Sequence, residues 1–372
     1  MQKYLKLKLQ KELGKMKKMK TGREVVAACA AAVAASALVS ARQLKRAVKA
    51  AEARLAAYGA ETAMLNYGRM TYVDHGPSDE VSDSKELSDE RLSYKVSDGK
   101  RSSGKCPSDS CSSRKSSNCK EQGDRATEEV VLSAHGLYGG YDQAYENVGT
   151  LSSRYRILAP SRFGYLGSSV KGEGTPRQQA EAYVELLDRL EIDRVFVLGT
   201  SAGGTPAIRF ALDFPERTKG LILYCSAAPW NEKPAKIPRL MGPPPIVNRD
   251  LPIWLVFPLY RRVYGMGADV VHSMLPLSKR KEGADLDARI TNRDMAVSFE
   301  EYPIEEMQVP VLLLHARDDR VAPFEAPAGQ VEGSLHRYPN LEKKIFEKGG
   351  HFMIGHEREI DAIVVDFIEK HG

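Results

Sequence analysis

Residues 195–204 read VFVLGTSAGG. A short apolar run that halts at glycine is the pattern of a buried strand, and the AGGTPAIRFALDFP that follows has the small and apolar residues of a helix ending before Pro215. Ser201 is thereby placed on a turn from strand to helix. Gly199-Thr200-Ser201-Ala202-Gly203 is a G-x-S-x-G sequence, in which a strained turn lifts the serine above the sheet edge and Gly199 and Gly203 keep the backbone free of clashes. A chain rich in glycine and serine also produces these five residues by chance, so a base and a group to orient it must be found elsewhere before Ser201 is read as a nucleophile.

The rhythm on either side is regular. MLNYGRMTYVDHG (64–76) alternates as strands do and holds a glycine turn, which predicts an opening hairpin. VVLSAHG from Val130, residues 156–160, 195–199, the GLILYCS from Gly220, VPVLLLHARDD and a last strand at 344–346 read as further strands. Helical patterns lie at 175–190 and 201–214. Strands alternating with helices predict an α/β fold with a mostly parallel sheet covered by helices on both faces. Over 227–305 the rhythm breaks: PWNEKPAKIPRLMGPPPIVNRDLPIWLVFPLYRRVYG is rich in proline, then aromatic, and fits an inserted helical cap. Residues 77–128 are dominated by Ser, Asp, Lys and Glu, cannot bury enough apolar area to offset their ordering entropy, and read as a disordered charged insertion within the sheet. The expected division is thus an N-terminal part, 1–60, and a single domain, 61–372, containing both insertions.

Charge separates the same two parts. Residues 1–23 carry nine Lys and Arg against one Glu, a local +8 within a chain total of +5, so the remainder stands at −3. A mildly acidic body argues against a nucleic-acid surface. The basic head is followed by VVAACAAAVAASALVSA (25–41), seventeen residues without a charge. This run predicts a single-pass membrane anchor and membrane association through 25–41, continued by a basic juxtamembrane helix. A cleaved export signal ending at Val39-Ser40-Ala41 and an alanine-rich soluble helix are the other readings. Basic residues on both flanks set the orientation only weakly. Of the five cysteines, Cys29, Cys106, Cys111, Cys119 and Cys225, three are closely spaced in a serine-rich stretch without a nearby histidine, which disfavours zinc and leaves free or locally paired thiols.

Loops at the carboxyl ends of parallel strands converge, so the partners of Ser201 should follow strands. The strand VLLLH leads to Ala316-Arg317-Asp318-Asp319, two carboxylates of which Asp319 is preferred as the acid; either could instead cap a helix or pair with an arginine. The last strand leads to Gly349-Gly350-His351, where two glycines let the chain turn inward, making His351 the preferred base over His356. The oxyanion donors are expected to be the N–H of Ala202, at a helix start, and the N–H of Leu137, in the loop SAHGLYGGYDQ. His135 is expected to hold that loop rather than act as a second base.

With these residues in hand, the chain from about Leu65 onward, apart from the insertion, resembles the α/β-hydrolase fold superfamily. His135-Gly136-Leu137-Tyr138-Gly139-Gly140 resembles its oxyanion loop, 199–203 its nucleophile elbow, Ala316-x-x-Asp319-x-x-x-Pro323 its acid loop and Gly349-Gly350-His351 its histidine loop. HGLYGGYDQ together with APSRFGYLGSS (159–169) is similar to a group of hydrolases with an N-terminal membrane-anchor-like helix. Ser161-Arg162-Phe163-Gly164-Tyr165 departs from the superfamily's usual Asp-x-Arg-Gly-x-Gly, and Ala316 stands where glycine is common. The resemblance implies a serine hydrolase that cleaves an ester-like acyl bond through Ser201, His351 and Asp319, with a small-molecule acyl substrate and no metal or organic cofactor. An acyltransferase or a cofactor-free perhydrolase would use the same residues, and a non-catalytic membrane-tethered binding protein would need none of them. Trp230, Trp254, Phe257 and Tyr260 in the cap suit an apolar acyl or aromatic group, and serve equally as cap core.

Overall fold

A computed structural model of the chain describes residues 22–77, 129–256, 268–325 and 330–372. The basic residues 1–21, all but the first residue of the insertion expected over 77–128, Cys106, Cys111, Cys119, Phe257 and Tyr260 lie outside them.

Eight strands form one sheet: β1 Glu61–Leu65, β2 Gly68–His75, β3 Val130–Ala134, β4 Arg156–Pro160, β5 Val195–Thr200, β6 Thr218–Tyr224, β7 Val311–Ala316 and β8 Leu341–Phe346. Their spatial order is β1-β2-β4-β3-β5-β6-β7-β8. The β1–β2 and β2–β4 pairs are antiparallel and every other pair is parallel. The helices are α1 Gly22–Ala57, α2 Tyr141–Glu146, α3 Pro176–Arg189, α4 Gly204–Asp213, α5 Ala268–Met274, α6 Lys281–Leu286, α7 Asn292–Val297, α8 Gln330–Ser334 and α9 Glu357–His371. Among the described residues the stretch between β6 and β7 contains no strand: a helical run at 250–256 and short 3-10 turns accompany α5 to α7, with a π-helical turn, Asp287–Thr291, joining α6 to α7.

The central strands read as continuous apolar runs because both of their faces are covered. Alternate residues of β5 illustrate this. Val195 and Val197 join α3 and α4 in one core through Leu186, Leu187, Ile208 and Phe210. Phe196 and Leu198 face the other core, with Val364, Phe367 and Ile368 of α9. The helix α3 starts where its sequence says it should: Thr175 and Gln178 form a reciprocal capping box and Pro176 takes the first helical position, where its missing N–H costs nothing.

The N-terminal anchor expected over 25–41, with its membrane association and localisation, is overturned. Among the described residues no helix is long and apolar enough to cross a membrane. The run lacks charge, but alanine adds little hydropathy, and the same unbroken helix continues through Arg42, Lys45, Arg46 and Lys49 to Ala57. Nor are its last turns a free juxtamembrane segment. Ala51 and Leu55, and Tyr58 just beyond the helix, are buried. Tyr58 sets its ring edge-on against Tyr141 and Tyr145 of α2, at centroid distances of 6.2 and 6.1 Å.

Candidate active site

The turn at the end of β5 is strained as its sequence predicts. Ser201 has φ +52°, the left-handed region that L-residues with a Cβ avoid. The turn also presses against the end of β3: a Cβ at Gly203 would lie 2.3 Å from the Ala134 carbonyl oxygen, and one at Gly199 would lie 2.6 Å from the Gly204 Cα. Only glycine fits there. Gly136, next along from β3, approaches so closely that a Cβ on it would sit 3.1 Å from the Ser201 Cβ. Ser201 and Ala202 open a short 3-10 turn that runs into α4, and the first N–H groups of such a turn have no partner within it.

His351 and Asp319 meet Ser201 from two other strand ends. Ser201 Oγ is 3.0 Å from His351 Nε2, and His351 Nδ1 is 2.8 Å from Asp319 Oδ2. The carboxylate can only accept, so Nδ1 carries the proton and Nε2 is left to accept from the serine hydroxyl. Asp319 Oδ1 takes the N–H groups of Val321 and Ala322, at 2.7 and 3.0 Å. Burial alone would raise the Asp319 pKa, but bonds from His315 and His351 and from the Ala322 N–H outweigh it and hold the carboxyl well below the usual carboxylate range. The neighbouring Asp318 has a different place. It is exposed and accepts the Gly350 N–H at 2.8 Å, bracing a turn in which Gly350 has φ +62°. His356, the other histidine of this region, stacks on Phe346 and bonds the Lys348 carbonyl, away from Ser201.

His135 is fully buried between two partners, donating from Nδ1 to the Gly136 carbonyl at 2.8 Å and accepting at Nε2 from the Arg162 N–H at 2.9 Å. Burial, reinforced by the Arg162 charge, pushes its pKa well below that of an ordinary histidine, so it stays neutral, as this donor-acceptor pattern requires. The Gly136 carbonyl also accepts from Arg162 Nη2 at 3.2 Å and from the Gly139 N–H at 3.2 Å. A trans peptide sends its N–H to the side opposite its carbonyl, so these three donors fix the direction of the Leu137 N–H as well.

Several residues here were not legible as functional in the sequence. Arg162 forms a bidentate pair with Asp287 of the π-helical turn, both contacts 2.6 Å, and Tyr165 donates to the same carboxylate at 2.6 Å. His315, inside β7, has Nε2 2.8 Å from the Ala322 carbonyl and 3.3 Å from Asp319 Oδ2, so the Asp319 carboxylate lies between two histidines. A polar residue within an otherwise apolar strand was the available signal. Cys225 is buried with its sulfur 3.9 Å from His351 Nε2. Burial, then the Asp319 charge, pushes its thiol pKa well up, so it stays protonated beside the imidazole. In the cap, Trp254 sets its ring edge-on to His272 of α5, at 5.8 Å. Among the described residues no group of three or more His, Cys, Asp or Glu side chains is gathered as a metal site.

Comparison with known proteins agrees with this architecture. The chain is 28% identical over 273 residues to a 2-hydroxy-6-oxononadienedioate/2-hydroxy-6-oxononatrienedioate hydrolase of Cupriavidus pinatubonensis, covering 67% of this chain and 89% of the relative. It is 38% identical over 90 residues to the uncharacterized hydrolase YcgS of Bacillus subtilis, a match spanning 23% of this chain and only 32% of that protein. Among solved structures, an esterase from Rhodococcus sp. ECU1013 superposes with a TM-score of 0.56 at 16% identity, covering 84% of this chain and 99% of that one. The profile of the Alpha/beta hydrolase family matches residues 130–364, well over half of the chain and all the strands from β3 to β8. The curated relatives are hydrolases, the sheet order and the solved structures agree, and the chain belongs to the alpha/beta hydrolase family.

Proposed function

We propose that this protein is a serine hydrolase that cleaves a carboxylic ester or related acyl bond through Ser201, His351 and Asp319. The observation that carries the reading is the unbroken hydrogen-bonded line from Ser201 Oγ through the imidazole to Asp319, begun on a strained turn. His351 Nε2 takes the hydroxyl proton as Ser201 Oγ attacks the carbonyl carbon. Asp319 keeps the imidazole in the required tautomer and stabilises the imidazolium that forms. The negative charge that develops on the substrate oxygen is met by the N–H groups of Leu137 and Ala202. Collapse of the tetrahedral intermediate breaks the bond to the leaving alcohol, which takes the proton from His351. Water, deprotonated by the same imidazole, then releases the acid from Ser201.

A second reading, hydrolysis of a carbon–carbon bond in a 2-hydroxy-6-oxo dienoate, is favoured by the names of several curated relatives, each 24–28% identical over most of its length. It uses the same base and the same oxyanion donors.

The test is a chain-length series of p-nitrophenyl acyl esters with a 2-hydroxy-6-oxo dienoate alongside, together with fluorophosphonate labelling, for the full chain and Ser201→Ala. Label and turnover on esters, lost on the order of 10⁵-fold in the variant, are the expected result. Turnover of the dienoate alone selects the second reading. A folded protein that neither labels nor turns over any of these substrates overturns both.

A further inference from the structure

The helix α1 lies outside the matched family region, yet it reaches the frame of the candidate site through one side chain. Arg54 donates from Nη2 to Asp142 Oδ2 at 3.1 Å and to the Ser273 carbonyl at 3.0 Å, and from Nη1 to the His272 carbonyl at 3.0 Å. Those two carbonyls belong to the last turn of α5, in the cap, where helix carbonyls lack partners of their own. Asp142 stands in the first turn of α2, directly after the loop that holds Leu137, and is 1% exposed. Its carboxylate is shared with a second guanidinium, Arg280 of the cap, at 3.0 and 2.7 Å, and Arg280 is fully buried. Arg280 in turn donates to the Tyr138 carbonyl at 3.1 Å. Tyr138 has φ +60° and follows Leu137 directly. Packing runs beside this polar line: the Tyr141 hydroxyl donates to the Leu55 carbonyl at 3.3 Å, and Tyr58 donates to Glu146.

We propose that Arg54 is a positioning residue and α1 a strut, fixing Asp142 and, through Arg280, the backbone that presents the Leu137 N–H, while tying the cap to the same point. The inference rests on the serine-hydrolase reading. Its physical basis is the geometry of a guanidinium. A planar fork can serve a carboxylate and two carbonyls at once, which an ammonium cannot do in the same directions. Without Arg54, Asp142 keeps its bidentate partner, so the fold persists, but α1 and α5 lose their common tie to the loop. An oxyanion donor acts in the transition state, so its displacement lowers kcat and leaves KM nearly unchanged.

The experiment uses the full chain, with active sites counted by fluorophosphonate titration so that rates refer to competent molecules only. Arg54→Met, which keeps the apolar stem and loses the donors, is expected to lower kcat on the order of tenfold with KM changed less than about twofold, and to weaken an alkylboronic acid inhibitor by a similar factor. Arg54→Lys, which keeps one donor, recovers part of both losses; should Arg54→Met fail to accumulate folded, Arg54→Lys alone is expected to show a fall of about threefold in each. Wild-type kcat and boronate affinity in the folded variants overturn the strut while leaving Ser201 as the nucleophile. A wild type that labels nowhere removes the reading on which the strut depends, and the strut with it.

Discussion

Two clusters a short distance apart pair a histidine with a neighbouring Asp-containing bond network, and they are built on opposite terms. In the cluster of His135, Arg162, Tyr165 and Asp287, every member is at most 3% exposed and the carboxylate accepts three hydrogen bonds, two from Arg162 and one from Tyr165. Both ring nitrogens of His135 are taken by backbone groups. In the line of Ser201, His351 and Asp319, the carboxylate is also fully engaged, but the serine end is half-buried, with its oxygen 3.0 Å from one acceptor, His351 Nε2. Residue type does not distinguish a frame from a reactive site. The distinction lies in whether the last atom of the chain of bonds is sealed by protein or, as at the half-buried Ser201, left partly exposed, which the proposed hydrolase reading requires of a nucleophile.

The sharpest way to break that comparison is at Asp319. Asparagine there is nearly isosteric but offers a donor where the imidazole needs an acceptor, and Asp319→Asn is expected to lower kcat on the order of 10³- to 10⁴-fold, read with a p-nitrophenyl ester. The same variant has a signature in stability. The folded-state pKa of Asp319 is depressed, so its contribution to stability is complete above the ordinary aspartate value of about 3.9 and is lost as pH falls below it toward the folded value. The wild-type advantage in Tm over Asp319→Asn should therefore be level near neutral pH and shrink steadily on acidification below about pH 4. An advantage that does not shrink on acidification means that the carboxylate is not held as described.

The sealed cluster responds differently, and that contrast sharpens the comparison. Arg162→Met alone leaves Asp287 buried without its charge partner and is expected to cost about 3–5 kcal/mol in urea unfolding. Removing both charges, Arg162→Met with Asp287→Leu, should return most of that stability, since a buried pair replaced by apolar groups is often neutral. Activity should not return with it. The Gly136 carbonyl still lacks the Arg162 donor, and a kcat about tenfold below wild type is expected from a misplaced Leu137 N–H. A paired variant with full activity would show that the frame needs only to be filled, whatever fills it.

What the sequence made legible follows the range of the forces involved. The strands at 195–200 and 311–316 are readable because burial on both faces writes itself as a local apolar run, and Ser201 and Asp319 each follow one; His351 follows a charged, partly buried strand, LEKKIF, and is marked instead by the two glycines before it. Asp319 could be preferred to Asp318, but the division of labour between them, one on the imidazole and one on the Gly350 N–H, is a matter of backbone direction that composition does not carry. Arg162 and Asp287 are 125 residues apart, and nothing local to either announces the other. The anchor was misread for the reverse reason. The absence of charge over 25–41 is a local property that outweighs, in a sequence reading, the weak hydropathy of alanine, while the contacts of the far end of the same helix, at Arg54 and Leu55, are not written in local composition.

The smallest expected effect isolates what the reactive end costs the fold. A residue with a Cβ at φ +52° is disfavoured by about 1–2 kcal/mol, which Ser201→Ala retains and Ser201→Gly relieves. Glycine gives back part of this, about 0.5–1 kcal/mol, through the larger entropy it loses on folding. The glycine variant is thus expected to melt about 1–3 °C above the alanine variant, both being inactive on the proposed reading. Matched Tm values would place the strain of the turn in the packing of Gly199 and Gly203 against β3 and α4 rather than at the serine. The stability cost of the site would then belong to the frame, and the difference between the two clusters would be one of exposure alone.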